Sequence, residues 1–164
     1  MSTLDRLIAD EKIIRCPSMD KEDCKPIRSM FLTVEFDRWL NDLLDTHPDR
    51  GDEGLMDQVL TKIQHYIASP KVDIGIFRKE NFVWCMHTVD LRIFGFFYRP
   101  GVFIAVCGEK KMDIKGTSYG SYYSKTQRVA DGLGLDPPPY MTKKNAMSMK
   151  YDWERMYAYS DQRL

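Results

Sequence analysis

Residues 91–111, LRIFGFFYRPGVFIAVCGEKK, form the stretch that decides the fold, because they have the pattern of a β-hairpin. Pro100 and Gly101 lie between two runs of aromatic and β-branched residues, and this dipeptide favours a tight turn. We therefore expect antiparallel strands over residues 92–98 and 102–107.

The free ends of this hairpin carry cations. Antiparallel pairing brings Arg92 toward Lys110 and Lys111 at one end of a sheet. The forked guanidinium of arginine grips two phosphate oxygens at once, and each lysine adds a point charge. The hairpin therefore predicts a phosphate-binding end.

Two amphipathic helices precede the hairpin. Apolar residues recur at helical spacing from residue 34 to 44, with Thr33 as N-cap, and a second stripe covers residues 55–67. The period then becomes that of strands, over residues 74–77, 82–87, 89–98 and 102–107. Helices before strands favour an α+β domain, in which both helices pack on one face of an antiparallel sheet of about four strands. The other face is expected to be available for function.

The chain of 164 residues is expected to form one domain with an extension at each end. The expected boundaries are residues 1–30 for an N-terminal extension, 31–135 for the domain and 136–164 for a C-terminal extension. The pattern allows a short helix over residues 3–14. Methionine and aromatic side chains at helical spacing predict another over residues 146–159, for packing on the domain or on a partner.

Charge and hydropathy exclude several classes of protein. The 24 basic and 24 acidic residues cancel, so composition gives no global argument for binding nucleic acid. No run approaches the roughly 20 apolar residues that cross a bilayer, and the amino terminus lacks the apolar stretch of a secretory signal. We therefore expect a cytoplasmic protein that makes no membrane contact.

The cysteines are expected to remain thiols. They form no dense framework of the kind that staples small secreted folds. Cys85 and His87 share one strand face, which raises the question of zinc, but seven residues separate Cys16 from Cys24 where zinc sites usually have two to four. We predict no metal and no cofactor, with Cys85 in the core and His87 partly exposed.

A tyrosine-rich segment follows the hairpin, within a locally basic region and before a short helix expected over residues 125–133. RNA is cleaved without metal when the 2′-hydroxyl attacks the adjacent phosphate, which requires a base, a positive charge and a proton donor. Tyrosine rings also stack on unpaired bases. The candidate RNA-binding residues here are Tyr119, Tyr122, Tyr123, Lys115, Lys125 and Arg128.

In their order along the chain, these motifs resemble the RelE/HigB toxin superfamily, particularly its phage-associated, Gp49-like branch. The resemblance is carried by two helices, the first acidic and Trp-containing, then the strands DLRIFGFFYRPG and VFIAVCG and an immediate EKK. It covers about residues 31–133. The resemblance implies a RelE-like α+β ribonuclease that cleaves mRNA, often on the ribosome, and is neutralised by a partner antitoxin.

The resemblance also assigns roles to residues. Arg92 corresponds to the phosphate-binding arginine of the family, and Lys110 or Lys111 to the cation after the next strand. Tyr119 corresponds to the tyrosine that stacks or donates a proton.

Two further residues take their roles from the preceding strands. Lys79 stands for the basic residues that the family carries there and is a candidate RNA contact. His87 lies in a strand without lysine, and it is a candidate general base because its unperturbed pKa suits that role.

The first hypothesis is thus a metal-independent endoribonuclease whose partners are mRNA or the ribosome and an antitoxin. The aromatic residues of the hairpin exceed what one sheet face needs, so a partner could cover the excess. That observation favours an alternative, a catalytically inactive RelE-fold phage or mobile-element protein that binds and inhibits a host protein or RNA. A third hypothesis is a non-catalytic RNA-binding module.

Overall fold

The computed structural model describes residues 1–16, 26–47, 54–69, 76–80, 82–114, 116 and 119–150, with side chains outside 77–80. The helices are α1 (Thr3–Ala9), α2 (Val34–Thr46), α3 (Leu55–Ala68), α4 (Tyr119–Gly132) and α5 (Lys143–Ser148). The strands are β1 (Ile13–Arg15), β2 (Ser29–Thr33), β3 (Ile76–Glu80), β4 (Val83–His87), β5 (Leu91–Arg99) and β6 (Val102–Lys110). A short 3₁₀ turn, η1 (Lys111–Asp113), follows β6.

The described strands form one mixed sheet of six in the order β1-β2-β6-β5-β4-β3. The α+β class and the antiparallel hairpin of β5 and β6 are confirmed. The prediction of about four strands, all antiparallel, was wrong, because β2 pairs in parallel with β6 and β1 pairs with β2. Neither short strand carries a periodic signal of its own, and both are stabilised by a partner distant in sequence.

The hairpin register follows from its two-residue turn. Arg99 pairs with Val102 next to that turn, and Leu91 pairs with Lys110 at the far end. Phe94 pairs with Cys107 and Gly95 with Ala105, which leaves Val106 as the extra residue of a β-bulge. A second register shift, between Phe97 and Arg99, leaves one extra residue in β5. The two strands therefore contain equal numbers of residues between the turn and the far end, and their ends pair as in a regular hairpin.

Helices α2 and α3 cover one face of the sheet, here called the α2/α3 face. Thr33 caps α2, as predicted, by accepting a hydrogen bond of 3.2 Å from the Phe36 amide. The buried stripes of both helices pack on β-strand side chains in one core, which includes Leu40, Ile63 and Phe97. The two helices are not the first elements of the domain, however, since α1, β1 and β2 precede them.

The opposite face, here called the α4 face, is covered, so the expectation of a face available for function was wrong. Its core contains Leu7 of α1, Phe94 and Phe96 of β5, and Ala130 of α4. Both faces of the central strands are therefore buried by the chain itself. This finding accounts for the aromatic excess of the hairpin without a partner.

The remaining helix boundaries also differ from the expectations. Helix α1 ends at Ala9 because Glu11 adopts a left-handed backbone conformation, with φ at 55°, before β1 begins. Helix α4 begins at Tyr119 rather than at residue 125. Helix α5 ends at Ser148, and the rest of the helix expected over residues 146–159 lies largely outside the described residues.

Arg28 closes the carboxyl end of α3. Its side chain is 2% exposed, and Nη1 donates hydrogen bonds of 2.7 Å to the carbonyls of Tyr66 and Ser69. Replacement by methionine leaves these carbonyls without that donor, so we expect Arg28→Met to lower the free energy of unfolding by about 3 kcal/mol. Urea titration followed by circular dichroism measures this, with exposed Arg38→Met in α2 as the control. Equal stability of the two variants would contradict the capping role.

Candidate active site

Three polar residues lie side by side across β4, β5 and β6 at one end of the sheet. His87 pairs with Arg92, and Arg92 pairs with Glu109. Directly opposed residues of antiparallel strands have Cβ atoms about 4.5–5.5 Å apart. Side chains alternate along a strand, so Arg92 shares the α4 face with Phe94. These three residues are called the cross-strand row.

Arg92 is the central member of the row and is 9% exposed. Its Nη1 donates hydrogen bonds of 2.8 Å to the Thr88 carbonyl and 2.9 Å to the Leu91 carbonyl. In the part of the chain that the structure describes, no carboxylate forms an ion pair with this guanidinium. The carboxylate of its cross-strand neighbour Glu109 is not within ion-pair distance, so a bound anion could still stabilise a guanidinium that is largely removed from water.

Two hydrogen bonds hold the Glu109 carboxylate in place. Its Oε1 accepts a hydrogen bond of 2.8 Å from the Lys110 amide, and its Oε2 accepts one of 3.3 Å from the Tyr122 hydroxyl. Burial and the negative charge of Glu109 raise the pKa of Tyr122. Tyr122 therefore keeps its proton at neutral pH and orients the carboxylate.

The three tyrosines that were expected to stack on bases pack on the sheet. The Tyr122 ring stacks on Phe94 with a centroid distance of 4.9 Å, and the rings of Tyr119 and Tyr123 contact Phe94 edge-on. All three are partly buried against the core of the α4 face. The rings of all three tyrosines therefore pack against the sheet in this structure.

Lys110, the last residue of β6, does not lie beside Arg92. Lys110 pairs with Leu91, whose side chain is in the core of the α2/α3 face, and its Nζ is 2.8 Å from Nε2 of His47. The Lys111 side chain is exposed in η1. Alternation along the strand therefore separates Lys110 from Arg92 by the thickness of the sheet.

The other predicted RNA contacts are dispersed. Lys125 forms an exposed ion pair of 2.9 Å with Glu35, which links α4 to α2. Arg128 is exposed on α4. Lys79 lies in β3 at the sheet edge, where only the backbone is described, and Lys115 falls outside the described residues.

A hydrogen-bond network holds the turn that leads into Arg92. Gln58 of α3 accepts bonds of 3.1 Å from the Thr88 hydroxyl and the Asp90 amide, and its Nε2 donates one of 2.7 Å to the Asp90 carboxylate. The carbonyl of the same Thr88 accepts the bond from Arg92. Helix α3 thus fixes the backbone that orients the guanidinium.

Glu109 and Gln58 are the two residues of this site that the sequence interpretation missed. Glu109 could have been found, because counting outward from the Pro100 and Gly101 turn pairs it with Arg92. Gln58 gave no such signal. Its partners lie in a turn that is distant in sequence and that only the packing of α3 on the sheet brings near.

Cys85 lies in the core, as expected, and Cys16 and Cys107 are the other cysteines among the described residues. Cys85 and Cys107 are buried thiols, and burial raises the pKa of Cys107 to about 11. Burial likewise raises the pKa of Cys16 to about 12. Among the described residues, no group of three or more potential ligands could hold a metal ion. The Cys16 and Cys107 thiols therefore remain protonated at neutral pH and are not nucleophiles there.

Comparisons with family models, curated proteins and solved structures gave no match to this chain. No helix in the described ranges has both the length and the apolar character needed to cross a membrane. Assignment of a function therefore depends on the chemistry of the cross-strand row.

Proposed function

We propose that the chain is a metal-independent endoribonuclease of the RelE/HigB-like kind, which cleaves mRNA in the cytoplasm from the cross-strand row. One observation carries the proposal. Arg92 is buried without an ion-pair partner in the described chain, and two groups capable of proton transfer flank it on the neighbouring strands. A phosphodiester supplies the missing anion, and the flanking groups supply the acid and the base.

The row divides the reaction among its members. Glu109 accepts the proton of the 2′-hydroxyl as that oxygen attacks phosphorus, Arg92 neutralises the phosphorane, and His87 protonates the leaving 5′ oxygen. His87 and Glu109 lie two strand spacings apart, roughly 10 Å, with Arg92 between them. This separation suits displacement in line, in which the attacking and leaving oxygens are on opposite sides of phosphorus. His87 is thus the acid in this mechanism, and the carboxylate takes the role of base.

The surrounding residues orient the row. Tyr122 holds the Glu109 carboxylate, and Gln58 holds the turn whose carbonyl fixes Arg92. Fixed dipoles and charges stabilise a transition state more effectively than mobile ones, because no reorganisation is needed during reaction. Neither residue is required to touch the substrate.

The second candidate is a RelE-fold phage or mobile-element protein without activity, which binds a host protein or RNA. Two observations favour it: the tyrosine rings pack on Phe94, and Lys110 lies on the face away from Arg92. Under this reading the guanidinium of Arg92 only braces the turn. The two candidates differ in whether RNA is cut.

The first test uses the wild-type protein with single-stranded RNA, free and bound to ribosomes, in EDTA. We expect cleavage that yields a 2′,3′-cyclic phosphate and a 5′-hydroxyl, because the attacking group is internal to the substrate. A matched oligonucleotide with one 2′-deoxy position at the cleaved bond should resist cutting at that bond. Mass spectrometry of the ends reports the result. Binding without cleavage would support the second candidate, and cleavage of the deoxy position would contradict the mechanism.

A further inference from the structure

Arg92 and Glu109 carry opposite charges on neighbouring strands, yet the structure holds them apart. As directly opposed residues they have Cβ atoms about 4.5–5.5 Å apart, but no ion pair joins them in the part of the chain that the structure describes. Two backbone carbonyls accept hydrogen bonds from Nη1 of Arg92, while the Glu109 carboxylate accepts from the Tyr122 hydroxyl and the Lys110 amide. Each charge is therefore held by partners of its own rather than by the other charge.

The guanidinium of Arg92 keeps one edge for a ligand. Its Nη1 donates hydrogen bonds of 2.8 Å and 2.9 Å to the two carbonyls, which uses both hydrogens of that nitrogen. The Nε–H and Nη2–H groups form the remaining edge, to which no acceptor within the described ranges is bonded. Two parallel donors match the two non-bridging oxygens of a phosphate group.

An anion on that edge is attracted by Arg92 and repelled by Glu109, because directly opposed side chains share a face of the sheet. Lys110 does not offset the repulsion, since its side chain lies on the other face with Nζ 2.8 Å from Nε2 of His47. The repulsion grows with the charge of the anion. A phosphodiester carries a single negative charge, whereas a phosphomonoester carries about two at neutral pH.

The repulsion from Glu109 falls as the proposed reaction proceeds. When the 2′ oxygen bonds to phosphorus, its proton passes to Glu109, so the carboxylate becomes neutral while the phosphorane gains a second negative charge. The bond from phosphorus to the 5′ oxygen then breaks, and that oxygen takes the proton of His87. An unfavourable interaction that is present with the substrate and absent in the transition state raises the rate of the chemical step. A phosphomonoester, in contrast, brings its second charge while Glu109 is still ionised.

We propose that Glu109 is the residue that selects the charge of the bound phosphate, because its carboxylate disfavours the second negative charge of a phosphomonoester. The inference rests on the proposed function and adds the class of phosphate that the site accepts. Internal linkages of RNA, and the 2′,3′-cyclic phosphate left by cleavage, carry a single charge and are accepted. Chain ends that bear an open phosphate are disfavoured, so they compete poorly with internal linkages for the site.

The test compares two ligands that differ by one methyl group and one negative charge. They are a 2′-deoxynucleoside 3′-(methyl phosphate) and the corresponding 3′-phosphate, prepared with each of the four bases, and neither has the 2′-hydroxyl that cleavage needs. Calorimetry with the full chain gives both affinities above about pH 7.5, where the monoester is a dianion. Glu109→Gln keeps the size of the side chain but removes its charge. We expect this variant to bind the 3′-phosphate about 10-fold more tightly than wild type, and the methyl phosphate only about 3-fold more tightly, because half the charge feels half the repulsion.

Glu11→Gln is the matched control for Glu109→Gln. It removes the same charge from an exposed glutamate that precedes β1, and β2 separates that strand from β6. Both of its affinities should equal those of wild type. Glu109→Ala removes the charge with a smaller side chain and should change the ratio of the two affinities in the same direction as Glu109→Gln. An unchanged ratio in the Glu109 variants, or binding of neither ligand by wild type, would overturn the proposal.

A cleavage assay separates this inference from the function on which it rests. Glu109→Gln should lose cleavage of RNA, because the base is absent, while it binds both phosphate ligands more tightly. Cutting of RNA by wild type together with an unchanged ratio in Glu109→Gln would overturn the charge selection and leave the nuclease intact. A changed ratio in a protein that cuts no RNA would support the charge selection and overturn the nuclease.

Discussion

Arg92→Met should reduce the rate of RNA cleavage by about 10²- to 10³-fold. The guanidinium is the one member of the cross-strand row that carries a fixed positive charge, and charge on the phosphorane is highest in the transition state. Methionine keeps an unbranched aliphatic side chain but removes every donor. Single-turnover cleavage of a labelled oligonucleotide measures the effect without interference from product release.

Arg99→Met is the matched control for this substitution. Both arginines are in β5, and in each the Nη1 donates to the carbonyl of the preceding residue, Leu91 for Arg92 and Tyr98 for Arg99. Arg99 also donates to the Pro138 carbonyl, at the opposite end of the strand from the row. Loss of structural hydrogen bonds alone should therefore affect both variants, whereas loss of phosphorane stabilisation should affect only Arg92→Met.

Melting temperatures of the two variants complete the comparison. If both are folded at the assay temperature and cleave RNA as fast as wild type, then Arg92 has a bracing role and the row is not catalytic. Arg92→Lys adds a further criterion, because lysine restores the charge without the bidentate geometry. We expect it to recover only part of the lost rate.

Gly95→Ala should lower the free energy of unfolding by about 3 kcal/mol, at the upper end of what overpacking usually costs. A Cβ at this position would meet the Ile104 carbonyl oxygen and come within 2.6 Å of Cζ of Phe103. Ile104 belongs to the paired backbone of β6, and Phe103 is fully buried among other rings. Neither can move without breaking sheet hydrogen bonds or core packing. Urea unfolding followed by tryptophan fluorescence measures the loss.

Gly120→Ala is the control for Gly95→Ala. Gly120 is in the first turn of α4, and a Cβ there has no neighbour within 4 Å. Alanine is about 1 kcal/mol more favourable than glycine within a helix, so this variant should be as stable as wild type or more so. Equal destabilisation by both substitutions would show that the close approach of β5 to β6 is not what limits position 95.

The local elements of the fold were predictable from the sequence. Helix α2 was placed by its apolar stripe and by Thr33, and the hairpin was placed by Pro100 and Gly101 between two apolar runs. In each case the signal and the structure that it specifies lie within the same short segment. The boundaries of α1 and α4 were less accurate. The left-handed backbone conformation of Glu11, which ends α1, is not predictable from its residue type. The first turn of α4 is stabilised by the packing of tyrosine on Phe94, a residue distant in sequence.

The candidate site was predicted in part for the same reason. Arg92 and His87 were identified from residue type and strand position, and their adjacency follows from the pairing of consecutive strands. Lys110 was grouped with Arg92 because both lie at one end of the hairpin. Alternation along β6 places it on the opposite face, beside His47 at the carboxyl end of α2. Two residues at the same end of a hairpin can therefore lie on opposite faces of the sheet.

The sequence by itself determined the α2 and α3 pair, the β5 and β6 hairpin and the cationic residue at its end, because each depends on contacts within one segment or between consecutive ones. Only the tertiary structure decided that β2 runs parallel to β6, that α4 covers the second face and that Gln58 braces the turn before Arg92. These features are stabilised by burial and hydrogen bonds between segments far apart in the chain. The energy of such contacts depends on how the surfaces of distant segments fit together, and the residue pattern within any one segment does not reveal that fit.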